Sequence, residues 1–171
     1  GNISIGFVSQ FGENDGNPYL SVDCRENGGS YDPNDKQAFP KGVGAEHWIE
    51  AGSELEYQIR FQNTGTDTAF TVELLDTLAE WLDPASVRTG ASSHPYRFDL
   101  SGRGNLRFHF AHLLLPDSTA NEAASHGFVK FFVRIRPDVP LNTLILNNAA
   151  IYFDFNDPVI TNTVTHKIGK D

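Results

Sequence analysis

The sequence has no methionine, only one cysteine and no long apolar run, and each of these absences excludes a class of protein. The single cysteine, Cys24, excludes an internal disulfide framework. No apolar run approaches the roughly 20 residues that a membrane-spanning helix requires. Because the chain starts at Gly1, without methionine or a recognisable signal peptide, we expect a mature chain or a piece of a longer protein.

Basic residues are also scarce, which limits the partners that the chain can bind. The 171 residues include 13 Lys and Arg against 22 Asp and Glu, which gives a formal net charge of −9. Nucleic acids and anionic membranes both attract clusters of Lys and Arg, so this balance argues against either as a partner. We expect a monomer whose main partners are neighbouring domains of the same polypeptide.

The motifs of common enzyme classes are missing as well. The sequence contains no G-x-S-x-G, no H-E-x-x-H, no P-loop and no dinucleotide fingerprint. Its six histidines are scattered, and on a strand the spacing of His109 and His112 sends their side chains to opposite faces. The sequence therefore predicts a protein that is not an enzyme and that needs no cofactor, with calcium as the one candidate for a bound ion.

What the sequence does contain is a strong alternation of apolar and polar residues. In "LEYQIRFQN" the apolar residues are Leu55, Tyr57, Ile59 and Phe61, and polar residues occupy the positions between them. Such alternation is typical of strands with one buried face. Two further segments place a polar residue on the apolar face, namely Phe70, Val72, Leu74 and Asp76, and Ile145, Asn147, Ala149, Ile151 and Phe153. The pattern predicts an all-β, antiparallel Ig-like β-sandwich of about seven or more strands.

The first residues form a pattern of their own. Residues 1–27 contain two short alternating runs around the turn "GENDGNP", which predicts an accessory N-terminal hairpin or the end of a preceding module. The sandwich domain is then expected over residues 28–171.

Several motifs resemble a known family when they are taken in order. They are "GGSYDPNDK", "LEYQIRFQNTGTDTAF", "LLDTL", "SSHPY", "LLLPDS", "SHGFVKF" and "NNAAIYFDFNDPVITNT". Together they resemble a repeat domain of secreted and surface proteins of Bacteroidota, which precedes a type IX secretion sorting signal, and more widely the β-sandwich modules of bacterial surface stalks and pilins. The resemblance implies an extracellular or cell-surface β-sandwich without enzymatic activity.

The wider superfamily directs attention to Lys36, Asp76 and Asn147. Some of its domains join their first and last strands by a spontaneous Lys–Asn isopeptide bond, and these three residues align with the lysine, the acid and the asparagine of that reaction. The reaction needs a neutral amine, a protonated carboxyl and a carboxamide, and burial favours both neutral forms. Alternatively, Asp76 caps a turn, Asn147 bonds a neighbouring strand end, and Lys36 pairs with Asp35 or Asp154.

Two Asp- and Asn-rich stretches, "DPND" at 32–35 and "DFND" at 154–157, suggest a calcium site. Their candidate ligands are Asp32, Asn34, Asp154 and Asn156. The alternative is that these residues form Asx turns around Pro33 and Pro158 and fasten the ends of the sandwich.

Two classes of function are compatible with these features. The first is a structural stalk or spacer that presents other domains of a large adhesin-like protein. The second is a module that binds a carbohydrate or a protein, with a groove lined by exposed aromatic residues. The candidates for that groove are Trp48, Trp81, Tyr96 and Tyr152.

Overall fold

The computed structural model describes residues 33–169, which form β-strands joined by turns and loops. The strands are β1 (Asp35–Phe39), β2 (Trp48–Ile49), β3 (Glu54–Gln62), β4 (Val72–Thr77), β5 (Leu82–Ser92), β6 (Arg97–Ser101), β7 (Asn105–Phe110), β8 (His126–Ile135), β9 (Leu144–Asn147), β10 (Ala150–Phe153), β11 (Val159–Ile160) and β12 (Val164–Ile168). Within residues 33–169 the only helix is a single 3-10 turn, Ala123–Ser125, and no helix there is long and apolar enough to cross a membrane. The predicted all-β fold is confirmed.

The first sheet has the strand order β1-β3-β8-β5 and is antiparallel throughout. Strand β3 lies in its interior and alternates as its sequence predicts. Its four apolar side chains, Leu55, Tyr57, Ile59 and Phe61, are fully buried. They share one face because successive side chains of a strand point to opposite sides of the sheet.

The second sheet, with the order β11-β10-β4-β7-β6, packs its apolar face against the first. Aromatic contacts connect the two faces: the ring centroids of Phe61 and Phe110 lie 5.4 Å apart, and those of Phe108 and Phe131 lie 5.7 Å apart. The pairs join β3 to β7 and β7 to β8. The core therefore lies between two sheets, which confirms the predicted sandwich.

A third, smaller sheet has the order β9-β12-β2. Strand β12 is antiparallel to β9 but parallel to β2, where Lys167 and Ile168 pair with Trp48 and Ile49. The sequence predicted an antiparallel fold, so this short parallel pair is a departure from it. Alternation of residue types reveals which face of a strand is buried and does not reveal the direction of its partner.

The outer edge of β1 is held by side chains instead of a neighbouring strand. The backbone N–H of Lys36 donates to Asn162 Oδ1 at 2.8 Å, and Asn162 Nδ2 donates to the Lys36 carbonyl at 2.9 Å. The carboxamide thus makes the two hydrogen bonds that a paired strand would make at this position. Further along the edge, His166 Nε2 donates to the Pro40 carbonyl at 2.9 Å. These contacts attach the segment around β12 to the first sheet.

Two details of the predicted strands are wrong. The alternation predicts one strand over residues 145–153, but they form β9 in the third sheet and β10 in the second, so the chain changes sheets between them. Phe70 was placed on the buried face, but its side chain is 58% exposed. Strand β4 begins only at Val72, because the N–H groups of Phe70 and Thr71 both turn towards Asp154 Oδ1, at 2.9 Å each.

The predicted accessory hairpin, residues 1–27, lies outside the described residues, as do residues 28–32 of the predicted sandwich domain. The domain boundary between residues 27 and 28 stays a prediction.

Candidate functional site

Lys36 and Asp76 form an ion pair inside the sandwich. Lys36 is the second residue of β1, and Asp76 follows Val72 and Leu74 on the buried face of β4. Lys36 Nζ donates to Asp76 Oδ2, and neither side chain has any exposed surface. The partners that the alternative interpretation gives to Lys36 are wrong, since Asp35 binds Arg60 and Asp154 binds the backbone of Phe70 and Thr71.

Two aromatic rings surround the Lys36 amine. Lys36 Nζ lies 4.5 Å from the ring centroid of Tyr57 and 5.2 Å from that of Phe131. Burial lowers the pKa of the Lys36 amine below its ordinary value, and the neighbouring Asp76 opposes this change without cancelling it. The neutral form, which is the nucleophilic form of an amine, is therefore easier to reach in the folded domain than in water.

Asn147 reaches the same strand from the third sheet. It is the last residue of β9, it is 3% exposed, and its Nδ2 makes a long contact of 3.5 Å with the carbonyl oxygen of Thr77. Thr77 follows Asp76 directly in β4. Strands β1 and β9 are not hydrogen-bonded neighbours, but the buried side chains of Lys36 and Asn147 both contact the end of β4.

Several buried polar atoms in this region have no partner among the residues that the structure describes. They include the acceptor oxygens Asp76 Oδ1 and Asn147 Oδ1, and the hydroxyl group of Tyr57. An unpaired buried polar group costs about 1–3 kcal/mol of folding free energy. These three unpaired atoms therefore mark the site as a candidate for a chemical role.

The candidate calcium ligands have other partners where the structure describes them. Asn34 Oδ1 accepts from the backbone N–H of Gln62 at 3.0 Å, and Asp154 Oδ1 accepts from two backbone N–H groups. Asn156 is exposed, and Asp32 lies outside the described residues. Within residues 33–169, no group of three or more His, Cys, Asp or Glu side chains is arranged to hold a metal ion. Calcium binding stays a prediction.

The aromatic residues proposed for a ligand groove are not exposed. Trp48, Trp81, Tyr96 and Tyr152 are all half-buried. Tyr96, for example, packs its ring 5.5 Å from the rings of both Phe108 and Phe110. The binding alternative requires these side chains to be exposed, but they offer only part of their surface, because an aromatic residue between strands packs against the core when the core offers an apolar surface.

Other apolar side chains are exposed, and three of them lie on loops that are joined by hydrogen bonds. Phe70, Leu114 and Phe155 are 58%, 60% and 105% exposed. Hydrogen bonds hold their loops together: the N–H of Phe70 donates to Asp154, and the N–H of Leu113 donates to the Phe70 carbonyl at 2.8 Å. We refer to Phe70, Leu114 and Phe155 as the exposed apolar cluster.

Two parts of the site could not be found in the sequence. Tyr57 was recognised as a core residue, but its position beside Lys36 depends on the register between β1 and β3, where Ala38 pairs with Tyr57. Asn162, which holds the Lys36 backbone, lies in the motif "ITNT" and had no assigned role. Neither contact has a local sequence signal, because each joins residues that are distant in the chain.

Solved structures with a similar fold include three bacterial pilins. The major pilin GBS80 of Streptococcus agalactiae has a TM-score of 0.55 at 14% identity, and the match covers 80% of this chain and 56% of the pilin fragment. BcpA of Bacillus cereus has a TM-score of 0.54 at 17% identity, with 79% and 39% covered. SpaA of Corynebacterium diphtheriae has a TM-score of 0.53 at 13% identity, with 80% and 38% covered, and is described as having a modular pilus assembly and stabilising isopeptide bonds.

These likenesses establish the β-sandwich fold of the chain. The match spans between 38% and 56% of the three pilin chains, so the chain corresponds to one part of each pilin. No curated protein sequence matches the chain.

A family model described as a domain of unknown function, DUF7619, matches residues 32–167. The matched range contains Lys36, Asp76 and Asn147 and every strand of the sandwich except the last residue of β12. Because the match covers well over half of its length, this chain belongs to the DUF7619 family.

Proposed function

We propose that the domain is a non-enzymatic structural module of a secreted or cell-surface protein, closed by an isopeptide bond between Lys36 and Asn147. The observation that carries the proposal is the fully buried pair of Lys36 and Asp76. The Asn147 carboxamide contacts Thr77, the residue that follows Asp76 in β4. A buried ion pair contributes little net stability, because the cost of removing both charges from water offsets their attraction. A chemical role explains the position of these charges better than a stabilising role does.

The first step of the reaction is a proton transfer within the ion pair. The Lys36 ammonium gives a proton to the Asp76 carboxylate, which leaves a neutral amine and a neutral acid. Burial, which lowers the pKa of the Lys36 amine, and the unpaired Asp76 Oδ1 both favour this transfer. No charge then remains to be solvated inside the core.

The second step joins the two side chains. The Lys36 nitrogen attacks the Asn147 side-chain carbonyl carbon and forms a C–N bond, while the Asp76 acid polarises the carbonyl oxygen. The bond from that carbon to Nδ2 then breaks, and proton transfer through Asp76 allows ammonia to leave. An amine and a carboxamide are converted into a secondary amide and ammonia, so all atoms are accounted for and no oxidant or external reactant is needed.

The bond would suit a module that has to resist unfolding. It joins β1 to β9 and closes a loop of more than 100 residues. By analogy with a disulfide, closing a loop of this size restricts the unfolded chain and contributes about 4.7 kcal/mol. The similar pilin folds support a role as a stalk or spacer between neighbouring domains on a cell surface, and export by the type IX route is the proposal that the motif resemblance adds.

Intact mass spectrometry tests this proposal. Loss of ammonia should lower the mass of the purified chain by about 17 Da relative to the sequence value. The variant Lys36→Met keeps a side chain of similar size but has no amine, so it should retain the full sequence mass. A wild-type chain with the full mass would refute the bond.

A second candidate function, binding of a carbohydrate or a protein, rests on the exposed apolar cluster. Aromatic faces stack on sugars and anchor protein interfaces, and Phe155 in particular is fully exposed. A glycan array probed with the wild type and with the Phe70→Ala, Phe155→Ala double variant tests this function. Binding by the wild type that the double variant loses would support the binding function. If the wild type gives no specific signal, the binding function is refuted and the spacer role stands.

A further inference from the structure

Tyr57 supplies a hydrogen-bond donor that the reaction described above does not use. Its side chain is fully buried on β3, and its hydroxyl has no hydrogen-bond partner within residues 33–169. Folded domains rarely leave such a group unpaired, because a buried hydroxyl without a partner costs about 1–3 kcal/mol. Phenylalanine would fill the same apolar space without this cost, so the hydroxyl itself requires an explanation.

The position of the ring connects Tyr57 to the reacting groups. Lys36 Nζ lies 4.5 Å from the Tyr57 ring centroid, so a carbonyl group that Lys36 attacks must come close to the same ring. Burial, together with the charge of Asp76, raises the pKa of the Tyr57 hydroxyl well above its ordinary value. The group therefore keeps its proton and can act only as a neutral donor or acceptor.

The unpaired atoms of the two other reacting residues, Asp76 Oδ1 and Asn147 Oδ1, are acceptors. Among the unpaired buried side-chain atoms of the described residues the Tyr57 hydroxyl is the donor beside Lys36. A carbonyl oxygen has two lone pairs, so the proton of Asp76 leaves room for a second donor on Asn147 Oδ1. That second position becomes important when the oxygen gains negative charge.

We propose that the Tyr57 hydroxyl donates a hydrogen bond to Asn147 Oδ1 while Lys36 attacks, and so stabilises the tetrahedral intermediate. This inference rests on the proposed isopeptide bond. As the C–N bond forms, the electron pair of the carbonyl π-bond moves onto Oδ1, and the Tyr57 O–H and the Asp76 acid both donate to that oxygen. When ammonia leaves, the pair returns and the carbonyl is restored, so Tyr57 neither gains nor loses a proton. Donors aimed at developing charge in a site without water accelerate such reactions strongly.

The test is the rate of ammonia loss in Tyr57→Phe, which removes the hydroxyl and keeps the ring. The full-length chain is synthesised in a cell-free system, synthesis is stopped, and samples are quenched in acid and urea at intervals for intact mass analysis. Removing one donor from an oxyanion site typically slows a reaction by about 100-fold, so we expect the −17 Da species to form at least about tenfold more slowly in the variant. Tyr96→Phe is the matched control, because Tyr96 also packs against the aromatic core and should react at the wild-type rate.

A second readout separates this role from a purely structural one. In the Asn147→Ala background no bond forms, and there Tyr57→Phe should leave the free energy of unfolding unchanged or raise it, because an unpaired buried hydroxyl is lost. A Tyr57→Phe rate within tenfold of the wild-type rate overturns the role of the hydroxyl while the isopeptide bond itself stands. A wild-type chain that never loses 17 Da overturns both.

Discussion

Lys36 and Asp76 form an ion pair that joins the two main sheets of the sandwich, and both side chains are completely shielded from solvent. Lys36 extends from the edge strand β1 of the first sheet, and Asp76 extends from the interior strand β4 of the second. Asn147 contacts the residue after Asp76 from a third sheet.

Replacing Asp76 by Ala should block the reaction, because the Asp76 side chain is the proton carrier. The variant should keep the full sequence mass, and its free energy of unfolding should fall, both because the cross-link is lost and because Lys36 is left without its buried partner. The second effect alone is typically about 3–5 kcal/mol. Intact mass and urea denaturation provide the two readouts.

The double variant Lys36→Met, Asp76→Leu is the control for folding. It replaces the pair by apolar side chains, which is often neutral for stability, so it should be folded and more stable than Asp76→Ala. A single Asp76→Ala variant that still loses about 17 Da would contradict the role of Asp76.

Replacing Asn147 by Ala should remove the cross-link and keep the ion pair intact. Because the loop between residues 36 and 147 is then open in the unfolded state, the free energy of unfolding should fall by about 4.7 kcal/mol. The measurement is urea denaturation followed by tryptophan fluorescence. Asn148→Ala is the matched control: Asn148 is exposed, and its Nδ2 donates to Thr163 Oγ1 at 3.3 Å. Equal stability of the two variants would show that no loop is closed.

The Asn147→Ala variant should also become more stable as the pH rises, because Lys36 then keeps a free amine. Burial lowers the pKa of this amine in the folded state, whereas the unfolded chain keeps the ordinary value of 10.5. Between these two values the unfolded chain binds more protons than the folded chain, so the contribution of Lys36 to the free energy of unfolding increases with pH. Above the unfolded value both states are neutral and the increase ends.

Urea denaturation of Asn147→Ala and of Asn147→Ala, Lys36→Met at several values from about pH 7 to pH 10 isolates this contribution. As the pH rises, the free energy of unfolding of the variant that keeps Lys36 should increase relative to that of the variant that lacks it. A constant difference would mean that Lys36 has the same pKa in both states.

Asn162 should stabilise the edge of the first sheet through its two hydrogen bonds to the Lys36 backbone. Replacing it by Ala removes both, at 2.8 and 2.9 Å, and should lower the free energy of unfolding by about 1 kcal/mol. Thr163→Ala is the control, because Thr163 is an exposed neighbour whose hydroxyl accepts only from Asn148. If both variants unfold at the same urea concentration, the edge of β1 does not depend on Asn162.

Chelation of calcium should leave the melting temperature unchanged. Asn34 and Asp154 use their side-chain oxygens to accept backbone N–H groups, which favours the turn interpretation of the two Asp- and Asn-rich stretches. A ligand bound only to the folded state raises the melting temperature by mass action, so a clear decrease on adding EDTA would show that a metal ion is bound.

The sequence predicts which face of a strand is buried, because apolar residues alternate along that strand. Alternation identified the buried face of β3, and the same argument placed Asp76 and Asn147 in the core, where they are 1% and 3% exposed. Alternation could not predict where a strand ends, so Phe70 was assigned to the core although Asp154 turns its backbone outward. That interaction joins residues more than 80 positions apart.

The candidate site was predictable only in its three reacting residues. Their residue types and their buried positions follow from the sequence and from the family resemblance. The aromatic surroundings of Lys36 do not, because Tyr57 and Phe131 meet the amine through the register of β1, β3 and β8. Contacts that depend on the pairing of distant strands carry no local signal.

The most direct test of the account is tandem mass spectrometry of a tryptic digest. Trypsin does not cleave after a lysine whose amine is bound in an amide, so the bond predicts one branched peptide in which residues 26–41 are attached to residues 135–167. Its fragments should assign the link to Lys36 and Asn147, with a mass about 17 Da below that of the two peptides together. Recovery of residues 26–36 as a free peptide, with residues 135–167 at their unmodified mass, would contradict the central claim.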